Sequence, residues 1–321
     1  MKVLLVTNMY PTEDAPYYGI FVKEQKMAVC RFHNDVDYTV VFIDGRRDKL
    51  TYLKSINKIH KIINENEFDL IHVHYGFAGL FLLKKLKKNI PILITLHGGD
   101  IQIEQGKKIQ VFFTKRILKR ANAAVTLNER MDKIVRDYVK KTYIVPCSVN
   151  TDIFSPGKQR KNQSEEDIKI VFPSDKTRFV KNYPLFEKVI AVLIERYNID
   201  CRTFEVKNMS RAQVSELYRS SDIMILTSFS EGSPQVVKEA MACNLPVVST
   251  NVGDVSFLLD GVKDSAVSNT MSEIELAELA FDVLNNRIDG IDGRKKIFQL
   301  GLDDKSISDK LYSIYKKLID G

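Results

Sequence analysis

Short apolar runs recur along the chain between segments that have the periodicity of helices. The apolar runs are residues 3–6, 39–43, 70–73, 92–96, 123–127 and 143–145 in the first half, and 168–172, 223–226 and 247–249 in the second. Continuous apolar strands of this length, separated by room for a helix, are typical of parallel sheets that helices cover on both faces. Three of the helical segments are residues 187–197, 235–243 and 306–318. The pattern therefore predicts an α/β fold.

The strand and helix pattern is interrupted once, over residues 145–167. This stretch is polar, contains Pro146, Pro156 and Gly157, and ends in charged residues, which is typical of a linker. A chain of 321 residues also has a suitable length for two domains. We therefore predict two Rossmann-like domains that face each other across a cleft, because ligands of doubly wound folds bind at the carboxyl ends of the strands.

The predicted boundaries divide the chain into four parts. They are a first Rossmann-like domain over 1–147, a linker over 148–167, a second Rossmann-like domain over 168–303, and a helix over 304–321 that can pack back on the first domain.

The net charge of +7 is unevenly distributed. Residues 1–150 hold 25 Lys+Arg and 15 Asp+Glu, a net of +10, whereas residues 151–321 hold 23 and 26, a net of −3. A basic half indicates an anionic partner such as a lipid diphosphate, phospholipid headgroups or nucleic acid, although solvated lysines on helix faces explain the charge equally well. The basic residues are concentrated in segments 84–88 and 107–120. The second segment is predicted to form an amphipathic helix, which can either rest on an anionic membrane or cover the core with its apolar face.

Composition also limits the compartment and the kind of site. No run of about 20 apolar residues is present, and the first residues read as a strand, which favours a cytoplasmic protein. The four cysteines form no CxxC pair, as expected for reduced thiols. All five histidines lie at or before His97, which excludes a histidine metal site that bridges both halves, and we expect no metal and no cofactor.

The most informative segment covers residues 227–254 and contains two glutamates with seven residues between them, Glu231 and Glu239. Gly232, Ser233 and Pro234 are predicted to form the tight turn that opens the following helix. The free N–H groups of a helix N-terminus bind anions, and carboxylates bind vicinal hydroxyls through pairs of hydrogen bonds. The segment is thus suited to a ligand that carries both phosphate and sugar groups.

This segment resembles the retaining glycosyltransferases of family 4, which have the GT-B fold. Their Glu-x7-Glu motif is followed by a small-residue helix and a Pro-Val-Val-(Ala/Ser)-Thr strand, which here begins at Pro246. The resemblance implies that Glu239 holds the donor ribose and that Glu231 holds the transferred sugar. It also implies that the domain over 168–303 binds the nucleotide sugar and that the domain over 1–147 lies on the acceptor side. The segment around residues 145–156 is also similar to the family's interdomain signature.

The resemblance extends to the first half of the chain. It implies that the loop over 8–21 approaches the donor diphosphate, with Gly19 at the closest point, and that His97 ends the fourth strand and faces the transferred sugar. His72 and His74 alternate on one strand and are predicted to be polar strand-end residues that line the cleft.

The second domain is expected to supply cations for the leaving diphosphate, from the loop over 173–182. Lys181 fits the family's lysine position, whereas the family's Gly-Arg pair is absent and Pro173 follows the strand. We assign the arginine role to Arg178, with Lys176 as its rival.

The resemblance implies a retaining, metal-independent hexosyltransferase that uses a nucleoside-diphosphate sugar, most simply a UDP-sugar. The acceptor would be a glycan or lipid-linked molecule of cell-surface polysaccharide synthesis, and the enzyme would be cytoplasmic and peripheral at the inner face of the membrane, with no nucleic acid partner. A nucleotide-sugar epimerase of the same fold and a noncatalytic nucleotide-sugar-binding protein are the alternatives.

Overall fold

The computed structural model describes residues 1–101, 108–157, 167–286 and 292–321. They form two compact units, of which unit 1 comprises Met1–Ser148 and Asp304–Gly321, and unit 2 comprises Val149–Asp303. Each unit contains one parallel sheet with helices packed on it, which confirms the predicted pair of α/β domains. Within the described ranges, no helix is long and apolar enough to cross a membrane.

Unit 1 is built on a sheet of six strands in the order β2-β1-β3-β4-β5-β6. Its strands are β1 (Lys2–Thr7), β2 (Asp37–Phe42), β3 (Leu70–His74), β4 (Ile92–Thr95), β5 (Ala123–Thr126) and β6 (Thr142–Ile144). Its helices are α1 (Ile20–Phe32), α2 (Thr51–Glu65), α3 (Lys108–Leu118) and α4 (Glu129–Val135), with a 3-10 helix over Gly76–Leu83.

Unit 2 is built on a sheet of five strands in the order β11-β10-β9-β7-β8. The strands are β7 (Ile168–Phe172), β8 (Cys201–Glu205), β9 (Ile223–Leu226), β10 (Val247–Thr250) and β11 (Ala266–Ser268). The helices are α5 (Tyr183–Tyr197), α6 (Arg211–Ser220), α7 (Gln235–Ala242), α8 (Val255–Leu259), α9 (Glu273–Asn285) and α10 (Gly293–Gln299), with a short 3-10 turn over Phe179–Lys181.

The last helix, α11 (Asp304–Ile319), belongs to unit 1 and packs against α1. Its apolar stripe is buried at Ile307, Leu311 and Ile314, as the spacing of these residues requires. A chain that leaves unit 1 and later returns to it is a property of the tertiary structure, because a helical stripe identifies a buried face but not the surface that covers it.

The segment predicted as a linker is only partly described, because residues 158–166 lie outside the described residues. Residues 149–157 belong to unit 2, where the Phe154 ring is fully buried and lies 6.3 Å from the Tyr218 ring, centroid to centroid. The Arg294 guanidinium donates to the carbonyls of Thr151 and Phe154 at 3.0 and 2.7 Å. These residues are therefore a packed part of unit 2.

Candidate active site

The carboxyl edge of the unit 2 sheet carries a nearly buried ion pair between Lys181 and Glu231. Lys181 Nζ lies 2.6 Å from Glu231 Oε1, and the two side chains are only 8% and 15% exposed. Ser228 Oγ donates to the same carboxylate oxygen at 2.7 Å. These predicted site residues, 50 positions apart in the sequence, thus contact each other directly.

The loop after β7 is held in place by the loop after β9. The Thr227 hydroxyl donates to the carbonyls of Lys181 and Asn182, both at 3.1 Å, and the Phe229 N–H donates to the Val180 carbonyl at 2.9 Å. Asn182 adopts a left-handed conformation, φ 53°, where α5 begins. Asparagine tolerates this conformation better than most residues, so the chain can turn sharply directly after Lys181.

Glu239 lies in the second turn of α7 and is 1% exposed. Its Oε1 is 2.5 Å from Nη2 of Arg211, the first residue of α6, and the guanidinium also lies 4.6 Å from the centroid of the buried Phe154 ring. Arg211 was not among the site residues predicted from the sequence. A Ser210–Gln213 capping box predicts where α6 begins, but nothing in it indicates a partner 28 residues further on.

The predicted turn between the two glutamates forms ahead of α7. Gly232 and Ser233 lie in a bend. Pro234 is the N-cap residue of α7, one position before the first turn of the helix. Gly253, at φ 61°, approaches this bend so closely that a Cβ atom there would lie 2.6 Å from the Gly232 carbonyl oxygen. Burial raises the pKa of the neighbouring Asp254, and the Lys238 ammonium and the Ser233 hydroxyl counteract part of that rise.

The two rival cations of the loop after β7 have different surroundings. Arg178 is exposed and forms no ion pair among the residues that the structure describes. The Lys176 ammonium lies 5.9 Å from the centroid of the Tyr183 ring, and its backbone N–H donates to Glu205 at 2.9 Å. Arg178 and Lys181 also share one turn, since the Lys181 N–H donates to the Arg178 carbonyl at 2.9 Å.

In unit 1, Gly19 caps the N-terminus of α1 with φ 65°. A Cβ atom at this position would lie 2.2 Å from the carbonyl carbon of Met9. The close approach is therefore made to the glycine's own loop, which requires glycine whether or not a phosphate binds there.

His97 lies two residues after the end of β4 and contacts a second histidine. Its Nε2 lies 3.2 Å from His74 Nδ1, and its backbone N–H donates to Asp100 Oδ1 at 3.0 Å. Burial lowers the pKa of His97 to about 3, although part of its ring remains exposed, so the imidazole is neutral near pH 7. The other Asp100 oxygen accepts from the Gly76 N–H at 3.0 Å, and burial raises the pKa of Asp100 to about 6.

Of the two histidines predicted to line the cleft, His74 is only 2% exposed, and the prediction is wrong for His72. Its ring is fully buried, with Nδ1 2.7 Å from the Tyr315 hydroxyl of α11 and Nε2 2.7 Å from Thr95 Oγ1. The Tyr315 hydroxyl also bonds that of Tyr38 at 2.9 Å. His72 therefore helps to bind α11 to the sheet. Across the described ranges, no group of three or more His, Cys, Asp or Glu residues could hold a metal ion.

Two family models match the chain, one in each half. Residues 2–153 match Glycosyltransferase Family 4, and residues 159–295 match Glycosyl transferases group 1. The chain is 26% identical over 325 residues to an uncharacterized glycosyltransferase of Methanocaldococcus jannaschii, an alignment that covers 89% of each protein. It is 25% identical over 334 residues to TuaC of Bacillus subtilis, a proposed teichuronic acid biosynthesis glycosyltransferase, with 80% of this chain and 83% of that protein covered.

Solved structures share the fold at low sequence identity. Sucrose-phosphate synthase from Thermosynechococcus elongatus has a TM-score of 0.80 at 16% identity, with 99% of both chains covered. Anabaena HepE in complex with UDP and glucose has a TM-score of 0.73 at 11% identity, with 99% of this chain and 100% of that chain covered. These likenesses show the fold that the two units have in common with the solved proteins.

Proposed function

This chain belongs to the glycosyltransferases of the GT-B fold, and from that premise we propose that it is a retaining, metal-independent hexosyltransferase. Its donor is a nucleoside-diphosphate sugar, most simply a UDP-sugar. Its acceptor is a hydroxyl of a glycan or lipid-linked molecule in cell-surface polysaccharide synthesis. The donor proposal has the support of a fold relative solved with UDP and glucose, and the acceptor proposal that of the teichuronic acid relative.

The observation that carries this proposal is a set of two ion pairs at one edge of the unit 2 sheet. Glu231 is paired with Lys181 at 2.6 Å, and Glu239 with Arg211 at 2.5 Å, both largely removed from water. Charged groups are rarely buried unless they are paired, and fixed charges in a poorly solvated site interact strongly with the charge that develops during a reaction.

Each charged group has a distinct part in the proposed reaction. Departure of the nucleoside diphosphate leaves negative charge on its oxygens, and the ammonium of Lys181 and the exposed guanidinium of Arg178 are the groups that would stabilise it. Glu231 would bind hydroxyls of the transferred sugar, and Glu239 would bind the ribose diol. The N-terminal end of α7, reached through Gly232, Ser233 and Pro234, adds backbone donors for phosphate oxygens.

The acceptor-side residues complete the proposal. His97 is neutral and can therefore donate one hydrogen bond to a sugar hydroxyl without carrying a charge. The backbone around Gly19, at the N-terminus of α1, is the proposed contact for the donor diphosphate in unit 1.

We further propose that the enzyme acts in the cytoplasm and rests on an anionic membrane surface through α3. This helix exposes Ile109 and Phe112, which are 70% and 51% accessible, and the Arg116 guanidinium lies 4.6 Å from the centroid of the Phe112 ring. Exposed apolar side chains flanked by basic ones suit the boundary between headgroups and acyl chains. Lys107, which the sequence analysis included in this segment, lies outside the described residues.

Calorimetric titration with UDP, beside steady-state kinetics, tests the roles of the two glutamates. We expect Glu239→Gln to weaken UDP binding, because ribose contacts are similar in the ground state and the transition state. Glu231→Gln should leave UDP binding near normal and slow the transfer. Glu216→Gln is the matched control, since the Glu216 side chain is 73% exposed on the surface of α6.

The opposite pattern, in which only Glu231→Gln loses UDP, would reverse the two assignments. If neither variant differs from Glu216→Gln, the proposed site is refuted. A thermal-shift screen across nucleotide sugars first identifies the donor, because a ligand of the native state raises stability. Product analysis with the donor alone separates a transferase from an epimerase, since only an epimerase converts the sugar without an acceptor.

A further inference from the structure

Tyr75 has a backbone conformation that bulky residues rarely adopt. It follows β3 at the carboxyl edge of the unit 1 sheet, with φ 72° and ψ 108°. Such strain persists only where surrounding bonds fix it, and it concentrates at functional sites. Here the Tyr75 N–H donates to the Thr95 carbonyl at 2.9 Å, and the following Gly76 N–H donates to Asp100. These two hydrogen bonds hold the Tyr75 backbone in its strained conformation.

A buried acceptor atom without a partner lies on the neighbouring strand end. Asn8 follows β1, which pairs directly with β3, and it is 5% exposed. Its amide nitrogen donates to the Tyr52 hydroxyl at 2.8 Å, while its Oδ1 has no hydrogen-bond partner within the described part of the chain. Buried polar atoms are nearly always satisfied, so an unpaired amide oxygen at a strand end indicates a ligand that donates to it.

Three half-buried tyrosines form a cluster that reaches Asn8 through Tyr52, namely Tyr18, Tyr52 and Tyr75. They lie close enough to influence one another: burial raises the pKa of Tyr75 most, and the Asp100 charge and the two other tyrosines raise it further. Aromatic faces beside a hydrogen-bonding amide offer an apolar surface with a polar anchor. A pyranose ring has the complementary arrangement, with C–H groups on its faces and hydroxyls at its rim.

Two arginines of the loop after β2, Arg46 and Arg47, are each paired with a carboxylate. The Arg46 guanidinium, which lies 4.2 Å from the centroid of the Tyr18 ring, donates twice to Asp44 at 2.9 Å. Arg47 Nη2 lies 2.6 Å from Asp14 Oδ2. An uncharged ligand leaves both ion pairs intact.

We propose that Asn8, Tyr52 and Tyr75 form a subsite that binds an uncharged, hydroxyl-bearing sugar ring of the acceptor. Asn8 Oδ1 accepts a hydrogen bond from a ring hydroxyl, and the Tyr75 ring packs against a C–H face. This assignment rests on the proposed glycosyltransferase function and specifies its acceptor, since it favours a neutral sugar over a phosphorylated one as the acceptor group at this subsite.

Saturation-transfer NMR on the full chain tests the subsite with defined probes. The probes are the methyl glycosides of glucose, galactose, mannose and N-acetylglucosamine, beside the 6-phosphates of the first three sugars. We expect at least one neutral glycoside to bind, more tightly than its phosphate. Asn8→Leu and Tyr75→Gly should each weaken that binding at least tenfold. Asn198→Gly, which relieves a left-handed residue at the end of α5, is the matched control and should bind normally.

Tyr75→Gly separates function from folding. Glycine adopts positive φ without strain, which offsets part of the packing that is lost with the ring, so the variant should still unfold cooperatively in urea while it loses the glycoside. Preferential binding of a phosphate, no glycoside binding by the parent, or full binding by both variants would each overturn the subsite. UDP titration of the same samples judges the donor function separately, because Glu239, which is proposed to bind the ribose of UDP, lies in unit 2.

Discussion

The Lys181–Glu231 ion pair should be energetically coupled far more strongly than an ordinary surface pair. The two charged atoms are 2.6 Å apart, and the side chains are 8% and 15% exposed. At an effective dielectric constant of about 20, unit charges at that separation attract by roughly 6 kcal/mol. Desolvation of both groups offsets a large part of this attraction, so the net coupling that we expect is about 2–3 kcal/mol.

A double-mutant cycle with Lys181→Met and Glu231→Gln measures this coupling. Each single variant leaves one nearly buried charge without its partner and should destabilise unit 2 by about 2–3 kcal/mol, below the roughly 3–5 kcal/mol of a fully buried pair. The double variant removes both charges and should be less destabilised than the sum of the two. Urea unfolding followed by hydrogen-exchange mass spectrometry reports unit 2 separately from unit 1.

The same loop provides a matched control. Lys207 Nζ lies 3.1 Å from Asp175 Oδ2, but these side chains are 41% and 29% exposed. Because water screens such a pair, the cycle with Lys207→Met and Asp175→Asn should give a coupling of no more than about 1 kcal/mol. If the Lys181–Glu231 coupling is no larger than that of the control, the pair is not desolvated and the argument for a fixed charge in the site is refuted.

Three further outcomes are expected. Gly19→Ala should destabilise unit 1 by about 3 kcal/mol or more in urea unfolding. Gly261→Ala should cost only about 1–2 kcal/mol, because Gly261 has a similar φ of 69° but a Cβ atom there would meet no described atom within 4 Å. Equal losses would contradict the close approach of Gly19 to the Met9 backbone. Burial raises the pKa of Asp100 to about 6, so the folded state keeps the carboxyl proton between about pH 4 and 6, where the unfolded state loses it. The free energy of unfolding, relative to that of Asp100→Asn, should therefore fall by up to about 3 kcal/mol as pH rises through that window. A pH-independent difference would show that the carboxyl titrates normally. Cosedimentation with anionic vesicles should weaken as salt rises and should weaken further in Phe112→Ser, and equal binding to neutral vesicles would exclude the electrostatic contact.

Much of the fold follows from local sequence signals. Buried central strands such as β1, β4 and β9 contain continuous apolar runs, because both of their faces are covered. The two strands that the pattern missed, β8 and β11, lie at the edges of the unit 2 sheet, and β8 in particular is half exposed and polar. An edge strand has fewer covered neighbours, so its sequence carries a weaker apolar signal.

The candidate site divides in the same way. The sequence placed Glu231, Glu239 and the turn between them on adjacent elements, because their spacing along one strand–turn–helix segment is a local property. It could not show that Glu231 meets Lys181 or that Glu239 meets Arg211, since these pairs form only where loops from different strands converge at one sheet edge.

Burial and strain were decided by the tertiary structure alone. His72 and His74 alternate along β3 and are both buried, yet His72 bonds a tyrosine 243 residues away while His74 contacts His97. The positive φ of Tyr75 likewise could not be predicted from the sequence, because tyrosine usually avoids this backbone conformation. A sequence states which residues favour a strand or a helix, but which surfaces cover them depends on how distant parts of the chain pack, and that packing sets the environment of every group in the site.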